Sequence, residues 1–179
     1  YAKNKGTLMI YRTQISTVLG DMSAAATEQG ICFLEFTEDN RREDTLQLVS
    51  ARLKMAVTDG SHPHLALLDT QLQDYFAGKL TEFTVPLVLP GTPFQQKVWD
   101  ALLSVPFGCT VTYSMLAESL SCPCAVRAVG RANGMNPVSV LVPCHRVTGK
   151  NGELTGYAGG TERKAWLLTH EKQIKGAAI

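Results

Sequence analysis

The sequence predicts an α+β protein, a small N-terminal α/β unit followed by a second, mostly helical unit. Three observations predict it. Strand-like alternation and then helical spacing of apolar residues fill residues 6–76. Three prolines, Pro86, Pro90 and Pro93, then break the pattern. Beyond them, short helical stretches alternate with Gly- and Pro-rich turns. A chain of 179 residues can hold one large core or two small ones.

The first unit reads as three strands and two helices. Leu8 and Ile10, then Ile15 and Val18, suggest short strands, with Gly20-Asp21 as a turn. Ile31–Phe36 is a third strand. The charged run Glu38–Arg42 is a loop or helix start. Leu46, Val49 and Leu53, continuing to Ala56 and Val57, recur at helical spacing. Gly60–His64 breaks that helix. Leu65, Leu68, Leu72, Tyr75 and Phe76 mark a second one, ended by Gly78. His62 and His64 flank a proline, as solvated loop residues or as a metal pair. The first unit is expected over residues 1–83 and shows no chemistry. Residues 84–92 form an extended linker, because proline removes a donor and disfavours helix before it.

The second unit, residues 93–179, opens with a helix starting at Thr92-Pro93-Phe94, with Phe94, Val98, Trp99, Leu102 and Leu103 on its apolar face. Val111-Thr112-Tyr113 is extended. Ser114–Leu120 and a helix from Pro123 to about Ala132 flank a tight turn, which is the helix-turn-helix pattern. The second helix is rich in small residues and carries Arg127 and Arg131 four apart on one face. That suits close approach to a DNA groove, and equally a close-packed helix with solvated arginines. Thr161 is expected to cap a last helix, with Ala165, Trp166, Leu167 and Leu168 buried and Glu171 near its C-terminal end. An acid is mildly disfavoured there, so it is either solvated or held by a partner.

Between these helices lies Pro143-Cys144-His145-Arg146-Val147, delivered by the apolar run Val138–Val142, a short strand or extended segment. A cysteine is a strong nucleophile only as thiolate, and an adjacent base or positive charge lowers its pKa. A buried, inert cysteine is the alternative.

Composition bounds the function. The chain is 45% hydrophobic and 18% charged, with no run of eighteen apolar residues and no signal-peptide pattern. It starts Tyr1-Ala2-Lys3 without Met, as expected of a processed product or a fragment. Residues 1–90 hold 8 Lys+Arg and 11 Asp+Glu, and residues 91–179 hold 9 and 5. The basic second half permits a polyanionic partner. Five cysteines, four in one region, form no disulfide framework and fit a reducing compartment. The spacing of Cys122, Cys124, Cys144 and His145 matches no common zinc pattern. Gly156–Gly160 lacks the lysine and spacing of a phosphate loop.

Val-Pro-Cys-His-Arg-Val with Asn136-Pro137 eight residues before the cysteine resembles the O6-alkylguanine-DNA alkyltransferases. So do Val111-Thr112-Tyr113, Arg127–Gly130, Gly156–Gly160 and Trp166–Glu171. The match covers most of residues 92–171. The chain also resembles the C-terminal halves of bacterial adaptive-response proteins, which implies a covalently linked N-terminal domain not present in this chain.

The resemblance implies an RNase H-like first domain and a winged-helix-like second one. It implies a bacterial, cytoplasmic protein that associates with the nucleoid when on DNA, acts as a monomer and needs no cofactor. Its partner is double-stranded DNA containing O6-alkylguanine, with no membrane involved. Cys144 accepts the alkyl group irreversibly, His145 takes its proton through water, and Glu171 orients the imidazole. Tyr113 assists departure of guanine and rotation of the target phosphate. Asn136 ties the helix-turn-helix to the active-site loop. Ala125 and Arg127 meet DNA, Arg127 filling the hole left by the flipped base. Val140, Tyr157, Ala158 and Gly159 line the base pocket. Some relatives carry zinc in the first domain, but only Cys32, His62 and His64 are candidates here, so no metal is expected. Ala158 replaces a serine of some relatives and leaves backbone donors alone. The rival readings are a Cys-His-Glu hydrolase or acyltransferase and a non-catalytic protein that only binds alkyl lesions.

Overall fold

In the N-terminal half, four strands form one sheet in the order β3-β2-β1-β4. The computed structural model describes residues 8–39 and 41–177. The expectations for the chain start and for Asn40 lie outside these residues.

Strand β1 spans Met9–Thr17 as one element rather than two, because Arg12-Thr13-Gln14 interrupts the apolar signal without interrupting the pairing. Strand β2, Gly20–Thr27, is antiparallel to β1 and was not expected from the sequence. Its Ala24-Ala25-Ala26 run is fully buried but carries little strand propensity. Strand β3, Gly30–Phe36, is buried on both faces.

Helix α1, Arg42–Leu53, ends at Lys54, which is left-handed with φ 55°. The helical reading of Ala56 and Val57 is therefore corrected. They lie in β4, Ala56–Asp59, parallel to β1. Helix α2 is Pro63–Phe76. His62 is its N-cap, with Nδ1 accepting from His64 N at 3.2 Å, so this histidine has a structural task.

The extended segment after α2 is pinned rather than free. Ile31 N donates to Pro86 O at 2.8 Å and Val88 N to Ile31 O at 2.8 Å, so residues 86–88 follow the outer edge of β3. Gly30 permits this approach, because a Cβ there would lie 2.4 Å from Pro86 O.

Helix α3, Pro93–Leu103, starts in a capping box between Thr92 and Gln95. It buries Val98, Trp99 and Leu102, whereas Leu103 faces out. Strand β5, Val111–Thr112, leads into α4, Tyr113–Ser119. A 3-10 turn at Pro123–Ala125 precedes α5, Val126–Gly134. Trp99 Nε1 donates to Ala132 O at 2.9 Å and locks α3 to α5.

The Val138–Val142 run is not a strand. Val138 makes a single bridge to Leu34, and the chain then turns, with Val140 at φ 71°. Hydrophobicity marks burial and cannot distinguish a buried turn from a strand. The chain next forms a 3-10 turn, Cys144–Arg146, and β6, Val147–Thr148, which runs parallel to β5.

Helix α6 runs Thr161–Ala177. Thr161 lies inside it, and Gly160 O accepts from Lys164 N at 3.1 Å. Its buried residues are Lys164, Leu167 and Glu171, not Ala165, Trp166 and Leu168. One hydrophobic cluster takes residues from both halves, among them Leu34, Leu72, Trp99, Val138 and Leu167.

Candidate active site

The loop 135–143 places Cys144, and Asn136 holds that loop closed. Its Nδ2 donates to Val142 O at 2.9 Å, to Val138 O at 3.3 Å and to Cys144 Sγ at 3.2 Å. Its Oδ1 accepts from Val138 N at 2.9 Å. One buried amide thereby serves three backbone groups and the sulfur.

Cys144 is 6% exposed. Burial pushes its thiol up to about 11, although the Asn136 amide and Lys164 pull the other way. This corrects the expectation that His145 and Arg146 depress it. Residues in a tight turn point apart, and both of these side chains turn to Glu171 instead.

Glu171 accepts from His145 Nε2 at 2.7 Å, Tyr75 Oη at 2.7 Å, Arg146 Nη2 at 3.0 Å and Nε at 2.9 Å, and Gly108 N at 3.1 Å. Helix α6 continues to Ala177, so this acid is not parked at a helix end; buried donors account for its position. Burial pushes the carboxyl up, but the hydrogen bonds of His145 and Arg146 and the charge of Arg146 outweigh it and hold it well below the usual carboxylate range.

For His145 burial wins, pushing its pKa down against the pull of Glu171. The imidazole is neutral and Arg146 is the counter-charge of Glu171. An ionised carboxylate only accepts, so Nε2 carries the imidazole proton. Nδ1 is then a bare acceptor, buried and without a partner among the described residues. That leaves a neutral base, correctly tautomerised, one residue from the thiol.

Tyr113 opens α4 directly after β5, half-buried, and its Oη donates to Thr155 O at 3.2 Å. Burial raises its pKa, and the field of Cys144 adds to this. Gly156, at φ +70°, lets the loop pass it, since a Cβ would lie 2.8 Å from Tyr113 Oη. Lys164 donates to Val147 O at 2.5 Å and Thr155 O at 2.8 Å, and its charge acts on Cys144.

Tyr157 is buried, its ring 6.5 Å from that of His145, and its hydroxyl has no hydrogen-bond partner among the described residues. Gly159 is buried against Phe36 and Tyr157, and Ala158 is partly exposed. Val140 instead lines a cleft with Phe83, Leu141 and Pro143, whose lining does not include Tyr157, Ala158 or Gly159. Arg127 and Arg131 are exposed on α5, and Ala125 is partly buried at its start. The structure thus gathers Cys144, His145, Glu171 and Asn136, with Tyr113 and Tyr157 beside them. Arg127 lies on the outer face.

Sequence reasoning missed Tyr75, Gly108 and Lys164, and saw Arg146 only as a neighbour of the cysteine. Nothing local marks Tyr75; Lys164 could have been found as the residue two turns before Glu171 on the same helix face. Among the described residues no group of three or more His, Cys, Asp or Glu is placed to hold a metal ion.

Residues 93–173 match the profile of the 6-O-methylguanine DNA methyltransferase DNA binding domain, and residues 10–89 that of the family's ribonuclease-like domain. A constitutive methylated-DNA--protein-cysteine methyltransferase of Bacillus subtilis is 45% identical over 92% of this chain and 96% of its own. This chain belongs to the 6-O-methylguanine DNA methyltransferase family.

The methyltransferase of Shigella flexneri is 55% identical over 58% of this chain, and the match spans only 61% of that relative. Among solved structures, the Mycobacterium tuberculosis O6-methylguanine methyltransferase superposes with a TM-score of 0.78 at 41% identity, covering 92% of this chain and 94% of that one. Mycobacterium tuberculosis OGT, crystallised in complex with DNA, is likewise similar (TM-score 0.78, 40% identity, covering 92% of this chain and 94% of that one). No helix of the described residues is long and apolar enough to cross a membrane.

Proposed function

We propose that this chain repairs DNA by moving the alkyl group of O6-methylguanine onto Cys144 Sγ, irreversibly and once per molecule. The observation that carries this reading is the cysteine held by the Asn136 amide one residue from an imidazole whose Nε2 proton is bound to Glu171 at 2.7 Å. The thiol proton passes to His145 Nδ1 through a water molecule. An S–C bond forms as the C–O6 bond breaks, the departing guanine takes a proton at the ring from Tyr113, and the proton held on His145 returns through water to the tyrosinate, which leaves both side chains neutral. The thiol is a weak acid at rest, so proton removal and alkyl transfer are coupled. The products are a thioether and unmodified guanine. Among the described residues no group of the site is suited to cleave a thioether, so a single turnover is expected.

The reading extends to how DNA is held. Residues 1–83 act as the ribonuclease-like domain and 84–92 as the linker to the alkyltransferase domain, 93–179. Helix α5 presents Arg127, Ala128 and Arg131 to the minor groove of double-stranded DNA. The damaged base is extruded, at a cost of a few kcal/mol, and Arg127 occupies the gap. Tyr157, Ala158 and Gly159 close over the base, with Ala158 offering only backbone groups. The protein works as a monomer in the bacterial cytoplasm.

Incubation with duplex DNA bearing O6-methylguanine, followed by peptide mass spectrometry, tests this. Gain of one methyl group on the peptide holding Cys144 is expected. Lesion binding with no adduct would mark the chain as a non-catalytic lesion binder.

A further inference from the structure

Glu35 is a buried carboxyl that the chemistry above leaves unused. It lies on β3, in the opposite half of the chain from Cys144, and is 3% exposed. Ser139 Oγ donates to its Oε2 at 3.2 Å, and Ser139 belongs to the loop between Asn136 and Cys144. The backbone beside this contact is pinned too. Leu34 N donates to Pro137 O at 2.9 Å and Ser139 N to Leu34 O at 2.8 Å. The N-terminal sheet therefore grips the active-site loop at one point, through two backbone bonds and one carboxyl.

Three acids share this interior, each from a different element: Glu35 from β3, Cys144 from the 3-10 turn and Tyr157 from the loop before α6. Glu35 acts on both Cys144 and Tyr157, and Cys144 acts on Tyr157. The charged groups around them are few. Asp39 and Arg41 act on Glu35 from the loop after β3. Lys164 acts on Cys144 and Arg163 on Tyr157, both from α6. Across the sheet Glu35 is paired with Ser23 of β2, which is uncharged. Burial, with Asp39 adding to it, pushes Glu35 up to about 8 against the pull of Ser139 and Arg41. A neutral acid at pH 7 tolerates a thiolate nearby, whereas two anions in one buried space oppose each other.

We propose that Glu35 is a positioning residue for alkyl transfer, bracing the loop through Ser139 and keeping its own proton so that Cys144 can lose one. This rests on Cys144 being the alkyl acceptor.

Single-turnover transfer rates from O6-methylguanine duplex DNA, measured from pH 7 to pH 9 for wild type and Glu35→Gln, test it. The ratio of variant to wild-type rate is expected to rise about tenfold over that range, as the wild-type carboxyl ionises and the amide does not. A ratio that stays constant with pH assigns Glu35 a purely structural role and overturns the proposal. A second measurement needs no variant. The infrared stretch of the neutral carboxylic acid, in wild-type protein carrying isotope-labelled Glu, should persist at pH 7, fall to about half near pH 8 and be almost gone by about pH 9. A carboxylate already ionised at pH 6 overturns the proposal as well. Failure of wild-type protein to methylate Cys144 at all would refute the underlying reading instead, so the two failures are distinguishable.

Discussion

Glu171 receives five hydrogen bonds from four residues, and two of its donors, Tyr75 and Gly108, lie far away in sequence. Its role as partner of His145 was legible because motif residues of the resembling family sit at 144, 145 and 171. The rest of its shell was not, since contacts spanning 96 or 63 residues leave no local pattern. The same holds for Glu35, 104 residues from Ser139. Arg146 gives this residue a structural weight beyond its proposed part in the reaction. Glu171→Gln leaves a buried guanidinium without its counter-charge and is expected to cost roughly 3–5 kcal/mol in urea unfolding. The pH dependence follows from the sign of the shift. A carboxyl held below its ordinary range contributes stability that is fully present above its unfolded pKa, about 4.5, and is lost as pH falls below that. Wild type should therefore lose stability on acidification through this window more steeply than Glu171→Gln.

Among the elements, helices with caps and clear apolar spacing were readable. The box at Thr92 and Gln95 set the start of α3, and Gly78, at φ +74°, follows the end of α2. Strands β2 and β4 were not readable. The first is an alanine run, and the second continues the spacing of α1 past a left-handed lysine that only the backbone reveals. Helix α6 buries a lysine and a glutamate where the apolar residues were expected to be inside, because the site draws charged groups inward. Helix α5 carries its arginines outward, free of the site's hydrogen bonds. Arg127→Ala is accordingly expected to weaken binding to lesion-bearing duplex DNA with little change in thermal unfolding. If Arg127 meets a phosphate, the slope of log affinity against log salt concentration falls by about 1. An unchanged affinity would remove α5 from the proposed DNA contact.

At the scale of the whole molecule, the two halves divide the work unevenly but share one core. The C-terminal half holds the thiol, the base and the exposed arginines, and carries the positive excess, 9 Lys+Arg against 5 Asp+Glu. The N-terminal half supplies Tyr75 to the carboxylate and, through the edge of β3, support for the loop that ends at Cys144. On the proposed reading, all of this converges on a single sulfur that is consumed by use. The most direct measurement counts guanines restored per protein molecule, with methylated duplex DNA in large excess. The account predicts a plateau at one per chain for wild type and none for Cys144→Ser. Continued release of repaired guanine beyond one equivalent, or any repair by Cys144→Ser at the wild-type rate, would contradict it.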